Sequence, residues 1–162
     1  MIEIKKLPPY RWKDFRDLRL EALQNDPLAF SSSYEEEKTM PQDEWKRRIK
    51  NVLFALSNDK PVGMIVYIID DRIKTKHIAN IFGFYVKMKF RGQEVGKKLI
   101  ESALEIIRQN MKVSKIKLTV NPEQKAAVKL YQKYGFELVG RLKNELKVDD
   151  KLYDELIMEK LL

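Results

Sequence analysis

The chain has 162 residues, 44% of them hydrophobic and 35% charged, with no Cys and one His, which excludes a disulfide framework, a thiolate metal site, a cysteine nucleophile and a multi-histidine zinc centre. The length suits one domain, expected over residues 1–162, with a core large enough to fold unaided. Thirty-two Lys and Arg against twenty-four Asp and Glu leave a formal +8 that favours phosphate-bearing partners, but Lys is interleaved with Glu rather than gathered in the basic stripe of a nucleic-acid binder.

Ile2 and Ile4 alternate with Glu3 and Lys5 as in a short half-buried strand, which Pro8-Pro9 ends. Trp12, Phe15, Leu18 and Ala22–Leu23 recur at helical spacing up to Pro27. Residues 30–34 read as a loop, and Glu35 to Ile49, with Trp45 and Ile49 one turn apart, as a second helical region. Val52–Ser57 and Val62–Ile69 are strands joined by the turn Asn58-Asp59-Lys60-Pro61, and Ile78–Val86 is another strand beyond a polar connection. From Gly92 to Asn110 the apolar residues Val95, Leu99, Ala103, Ile106 and Ile107 predict a long amphipathic helix. Ile116, Leu118 and Val120 alternate as a strand, Gln124–Tyr134 is helical, and Gly135 stops it. Phe136–Lys147 and Leu152–Leu161 are closing strands around an Asp-rich turn.

The predicted order is β-α-α-β-β-β-α-β-α-β-β, a mixed α+β fold with a mostly antiparallel sheet of about seven strands and about four flanking helices. Strand–helix–strand crossovers over residues 78–120 and 115–147 predict parallel pairing in both places. No apolar run nears the ~20 residues of a membrane helix, and Met1–Lys5 lacks a signal peptide's apolar stretch, so a cytoplasmic protein without a membrane partner is expected.

One region concentrates unusual features. The strand Ile81–Val86 leads through the basic turn Lys87–Arg91 into a helix opened by Gly92-Gln93-Glu94-Val95-Gly96-Lys97. A helix start carries unpaired N–H groups and the positive end of the helix dipole, and Gly92 and Gly96 allow phosphate oxygens close to the backbone. The segment is neither a Walker loop nor a dinucleotide fingerprint.

Arg91-Gly92-Gln93-Glu94-Val95-Gly96 resembles the coenzyme A motif Q/R-x-x-G-x-G/A of the GCN5-related N-acetyltransferase (GNAT) family. Val120-Asn121-Pro122-Glu123-Gln124 through Leu130-Tyr131 to Gly135-Phe136 is similar to that family's V-x-x-x-N-x-x-A-x-x-L-Y-x-x-x-G-F block. The predicted element order resembles the family's over essentially the whole chain. Three positions depart from the pattern: Glu94 replaces the first motif glycine, Gln124 replaces a common Asn, and Thr119 stands where acetyltransferases of protein N-termini often carry Glu.

The resemblance implies acetyl transfer from acetyl-CoA to a primary amine by direct attack in a ternary complex, without a metal. It implies cofactor contacts from the backbone of Phe84, Tyr85 and Val86, with the Val86 N–H toward the thioester oxygen, from Arg91, Gly92, Gln93, Glu94, Val95, Gly96 and Lys97, and from Asn121 and Gln124. Tyr131 is implied as the general acid toward sulfur, a phenol with a pKa near ~10 being protonated at neutral pH. Gly83 inside an apolar strand marks a bulge that would splay two parallel strands. The base stays open among His77, Glu35-Glu36-Glu37, Tyr34, Asp154 and water; the three glutamates would also attract a cationic amine. The acceptor is read first as a small or amino-acid-like amine, next as a protein N-terminus or lysine. A non-catalytic basic binding domain is the reading of a different class, and a homodimer is left open.

Overall fold

The computed structural model describes residues 1–162. Its strands are β1 (Ile2–Lys5), β2 (Val52–Ser57), β3 (Lys60–Ile69), β4 (Ile78–Val86), β5 (Lys115–Val120), β6 (Glu137–Val148) and β7 (Lys151–Leu161). Its helices are α1 (Trp12–Asn25), α2 (Tyr34–Glu37), α3 (Gln42–Arg48), α4 (Val95–Gln109) and α5 (Lys125–Lys133). The strands form one sheet in the order β1-β2-β3-β4-β5-β7-β6, antiparallel everywhere except between β4 and β5. Tight turns set the hairpin registers: Asn58 and Asp59, then Asp149 and Asp150, adopt the paired positive φ values that two-residue hairpin loops require.

Each face of the sheet carries its own core. On one face α4 buries Val95, Leu99, Ile100, Ala103, Leu104 and Ile107 against Ile65, Ile81, Ile116 and Leu118. Burying one such side chain contributes roughly 1.5–3 kcal/mol, so this stripe anchors the helix. On the other face Phe15, Leu18 and Leu23 of α1 and Trp45 of α3 pack on Val52, Phe54, Met64 and Tyr85. No helix is long and apolar enough to cross a membrane.

The structure corrects three sequence expectations. The second crossover does not produce a parallel pair, because β7 lies between β5 and β6 and pairs antiparallel with both. A strand entering last can take an interior position, and hydrophobic periodicity carries no information about strand order. The second helical region is two helices, not one. Pro41 sits between them, where the missing N–H and the restricted residue before proline interrupt a helix. The long helix begins at Val95 rather than Gly92, since Gly92 (φ 74°) and Glu94 (φ 61°) are left-handed and cannot join a right-handed helix.

Candidate functional site

The parallel ladder between β4 and β5 is short. It pairs Ile78 with Lys115, Ala79 with Ile116 and Asn80 with Lys117, and then stops. The cause lies one step on, in β4. Gly83 and Phe84 together oppose the single residue Ile65 of β3, a bulge centred on Gly83 at φ 60°. A Cβ on Gly83 would lie 2.7 Å from Val66 Cγ2, so only glycine fits. The bulge also shifts the strand's alternation: Ala79 and Ile81 face the α4 core before it, Phe84 and Val86 after it, while Tyr85 turns to the α1 core. Beyond the last pair the strands part around a cleft of about 810 Å³ that reaches both faces of the sheet.

The α4 side of this cleft is a cradle of donors. None of the main-chain N–H groups from Gly92 to Lys97 donates to any acceptor in the chain; the first bond of the helix start is Lys98 N–H to the Glu94 carbonyl, 3.0 Å. Open space surrounds the position of a Cβ on Gly92, whereas one on Gly96 would meet Phe84 Cζ at 3.1 Å. Gly92 therefore leaves room for a ligand, and Gly96 lets α4 approach β4. Lys87 N–H points to β3 (Val62 carbonyl, 2.9 Å), so strand alternation turns the Val86 N–H toward the cleft. Opposite, Asn121 is 1% exposed; its Oδ1 accepts from Glu123 N–H at 2.8 Å, and its Nδ2 has no partner at all. A buried unpaired amide costs about 1–3 kcal/mol, and this one is an unspent donor in the wall of the cleft. Gln124, at the start of α5, completes this wall.

Tyr131 is buried between Phe84 and Phe136, with ring centroids 6.0 and 5.7 Å away, and lines the cleft. Burial alone raises its phenol well above the ordinary range, so it holds its proton at neutral pH.

The side chains of several candidate residues have partners of their own, which leaves their main-chain groups to the cleft. The Tyr85 side chain faces away from the cradle, hydrogen-bonding Glu21 (3.1 Å) and Asn25 (3.2 Å) on α1. Arg91 holds the cradle in place rather than lying free for phosphate: its Nε donates to the Val86 carbonyl at 2.8 Å and its guanidinium pairs with Asp26. The Gln93 side chain turns outward to the Lys89 carbonyl (2.8 Å). The Glu94 carboxylate does not fold into the cradle. It is 66% exposed and pairs with Lys97 at 2.9 Å, which holds it below the usual carboxylate range.

The proposed bases separate sharply. His77 is exposed at the opposite end of β4, about 20 Å from the bulge by strand rise, with its carbonyl taken by Ser114 and Lys115. Asp154 accepts from Arg141 (2.6 Å) and Asn144 N–H (2.9 Å) outside the cleft. Tyr34 packs on the α1 core beneath Lys38. Glu35 pairs with Lys38, and Glu36 closes a capping box with Ser33. Glu37 is buried, and although burial pushes its pKa up, Arg19 (2.9 and 3.0 Å) and Arg48 (3.3 Å) outweigh that and hold it below the carboxylate range. Of the acidic triplet, Glu35 and Glu37 are paired with cations, while Glu36 is exposed and held only by the neutral Ser33; none of the three lines the cleft.

The residues the sequence reading missed line the α1 side of the cleft: Arg19, Arg47 and Arg48, with Ser31 and Ser32, and Glu155 from β7. Three guanidinium groups share two carboxylates, Glu37 and Glu44, and Glu155 is the third carboxylate of this wall, so its charges match in number; the Arg47 guanidinium, 69% exposed, is the most accessible cation. No local motif marks them, for they come from α1, α3, a loop and the last strand. No three His, Cys, Asp and Glu side chains gather as metal ligands.

Comparison with known proteins agrees with this fold. The model of the acetyltransferase (GNAT) family matches residues 12–136. The chain is similar to L-amino acid N-acetyltransferase AaaT of Escherichia coli K12, 30% identical over 92 residues, which are 57% of this chain and 56% of that protein. The chain therefore spans just over half the length of that relative. Among solved structures, an acetyltransferase of the GNAT family from Streptococcus pneumoniae superposes with a TM-score of 0.89 at 23% identity, covering 100% of both chains. The structure of yncA from Salmonella typhimurium with its cofactor acetyl-CoA gives 0.85 at 14% identity, covering 100% of this chain and 94% of that one.

Proposed function

Because the chain belongs to the acetyltransferase (GNAT) family, we propose that it moves the acetyl group of acetyl-CoA to the primary amine of a small, amino-acid-like acceptor. The observation that carries this reading is the unbroken run of free N–H groups from Gly92 to Lys97 at the mouth of the β4–β5 cleft. Such a run, at the positive end of α4, matches the oxygens of a diphosphate. The Asn121 amide and the free edge of β4 beyond Asn80 supply donors and acceptors for an amide-bearing arm extending into the cleft.

Acetyl-CoA, when bound, supplies an acetyl group activated as a thioester. The residues of the chain do the rest. The Val86 N–H polarises the acetyl carbonyl, where negative charge develops during attack. Tyr131 keeps a proton at its hydroxyl for the departing sulfur, which its burial allows. The exposed Arg47 guanidinium receives the carboxylate of the acceptor, and the Ser31 and Ser32 hydroxyls add neutral hydrogen bonds. That guanidinium favours an amino-acid-like acceptor over a polyamine, which has no carboxylate to pair with it.

A thiol-release assay with acetyl-CoA across free amino acids, polyamines and N-terminal peptides tests the reading. Turnover is expected with amino acids. Turnover with peptides alone would move the acceptor to protein N-termini, and the absence of any heat on calorimetric titration with acetyl-CoA would remove the enzyme reading altogether.

A further inference from the structure

The site as described has an acid but no base. Thr119 lines the cleft from β5 at the position where the family resemblance puts a carboxylate in some members, and none of the side chains considered as base from the sequence lines the cleft. The neighbouring strand offers a replacement. β5 pairs with β7 through Thr119 with Ile157 and Val120 with Leu156, and the ladder ends there. Glu155 is the next residue of β7. It lies two positions from Ile157, on the same face as Thr119, as its diagonal cross-strand neighbour. Leu156 and Met158 point into the α4 core, so Glu155 necessarily points to the opposite face, the one carrying the Arg wall. It is half-buried and lines the cleft.

We propose that Glu155 is the general base of this site, supplied across the sheet from β7 to the place that Thr119 leaves without a carboxylate. The inference rests on the acetyl-transfer reading above. The Glu155 carboxylate takes one proton from the acceptor's ammonium and the freed nitrogen lone pair forms the N–C bond to the acetyl carbon; the carbonyl re-forms as the C–S bond breaks and Tyr131 protonates the sulfur, the second proton of the acylated nitrogen returns to the Tyr131 oxygen, and Glu155 releases its proton to solvent. The surroundings suit a base. Burial raises the Glu155 carboxyl, the Thr119 side chain on β5 lowers it, and Glu145 on β6 raises it. No cation is among these influences, so no ion pair ties up the carboxylate. A base moved toward neutral pH is a better proton acceptor from an amine than an ordinary glutamate.

The test combines rate, binding and titration. Glu155→Gln is expected to lower kcat/KM roughly 10²–10³-fold at neutral pH and to abolish the acid limb of its pH profile. Acetyl-CoA affinity by calorimetry stays at the wild-type value, which also shows that the variant folds. Glu155→Asp regains part of the rate, and Thr119→Val moves the acid limb to higher pH. In the free protein, a carbon-13 titration of the Glu155 carboxyl is expected above the ordinary glutamate range. Wild-type rate and an unchanged acid limb in Glu155→Gln would overturn the assignment, as would an ordinary titration. A wild-type protein that binds acetyl-CoA yet acetylates no amine would instead overturn the reaction itself, and the base with it.

Discussion

The two walls of the cleft are built in opposite ways. The α4 wall comes from one continuous segment, residues 84–97, whose donors are main-chain N–H groups placed by a strand, a turn and a helix start. The α1 wall is assembled from α1, the loop after it, α3, β5 and β7, and its chemistry is in side chains that pair with one another. A backbone site tolerates substitution provided the chain path survives, as Glu94 in place of glycine illustrates. A side-chain site changes its specificity with each residue. The difference teaches that main-chain donors and paired side chains occupy separate walls of this cleft, and under the proposed function mutation should affect cofactor affinity and acceptor choice separately.

The largest effect is expected at Glu37. Replacing this buried carboxylate with Gln strips the half-buried Arg19 of its bidentate partner and should cost about 3 kcal/mol of stability in chemical denaturation, the magnitude for breaking one side of a buried pair. Because its arginine partners hold Glu37 below the ordinary carboxylate pKa, that contribution is complete above pH of about 4.3 and fades as pH falls through the lower folded value. Wild type and variant should therefore converge in Tm in acid. Next, Tyr131→Phe should lower kcat about 100-fold while leaving acetyl-CoA affinity unchanged, with steady-state rates and calorimetry as the readouts. An unchanged kcat would remove Tyr131 from its role.

A smaller change is expected from Arg47→Ala, which removes an exposed guanidinium from the α1 wall. The KM for a carboxylate-bearing amine should rise about tenfold, the KM for an amine without a carboxylate should not, and acetyl-CoA affinity should hold. A matching loss in acetyl-CoA affinity would show that the two walls are coupled. The smallest effect belongs to Glu94→Gly. It relieves a left-handed non-glycine residue, a gain of about 1 kcal/mol in thermal unfolding, and tightens acetyl-CoA binding modestly by removing a carboxylate beside the cradle. Weaker binding would show that the Glu94–Lys97 pair helps to shape the cradle.

Much of the fold could be read from the chain because the signals were local. Alternation at Ile116, Leu118 and Val120, the helical stripe from Val95 to Ile107, and the turns at Asn58-Asp59 and Asp149-Asp150 each involve neighbours in sequence. The bulge at Gly83 was legible for the same reason, since a glycine in an apolar strand signals a break in regular pairing. The insertion of β7 between β5 and β6 was not legible, because either order satisfies the same alternation. Glu155 was missed by a single position: Asp154 drew notice as an acidic neighbour, but strand alternation sends the two side chains to opposite faces, and only the pairing of Thr119 with Ile157 decides which enters the cleft.

The sequence by itself determined the elements, the family and the donor run at the start of α4, all of which depend on residues a few positions apart and on backbone geometry that short motifs encode. Tertiary structure alone decided which charges line the cleft. Arg19, Glu37, Arg48 and Glu155 lie far apart along the chain, and whether each is neutralised, buried or free depends on partners brought together only when both faces of the sheet are covered.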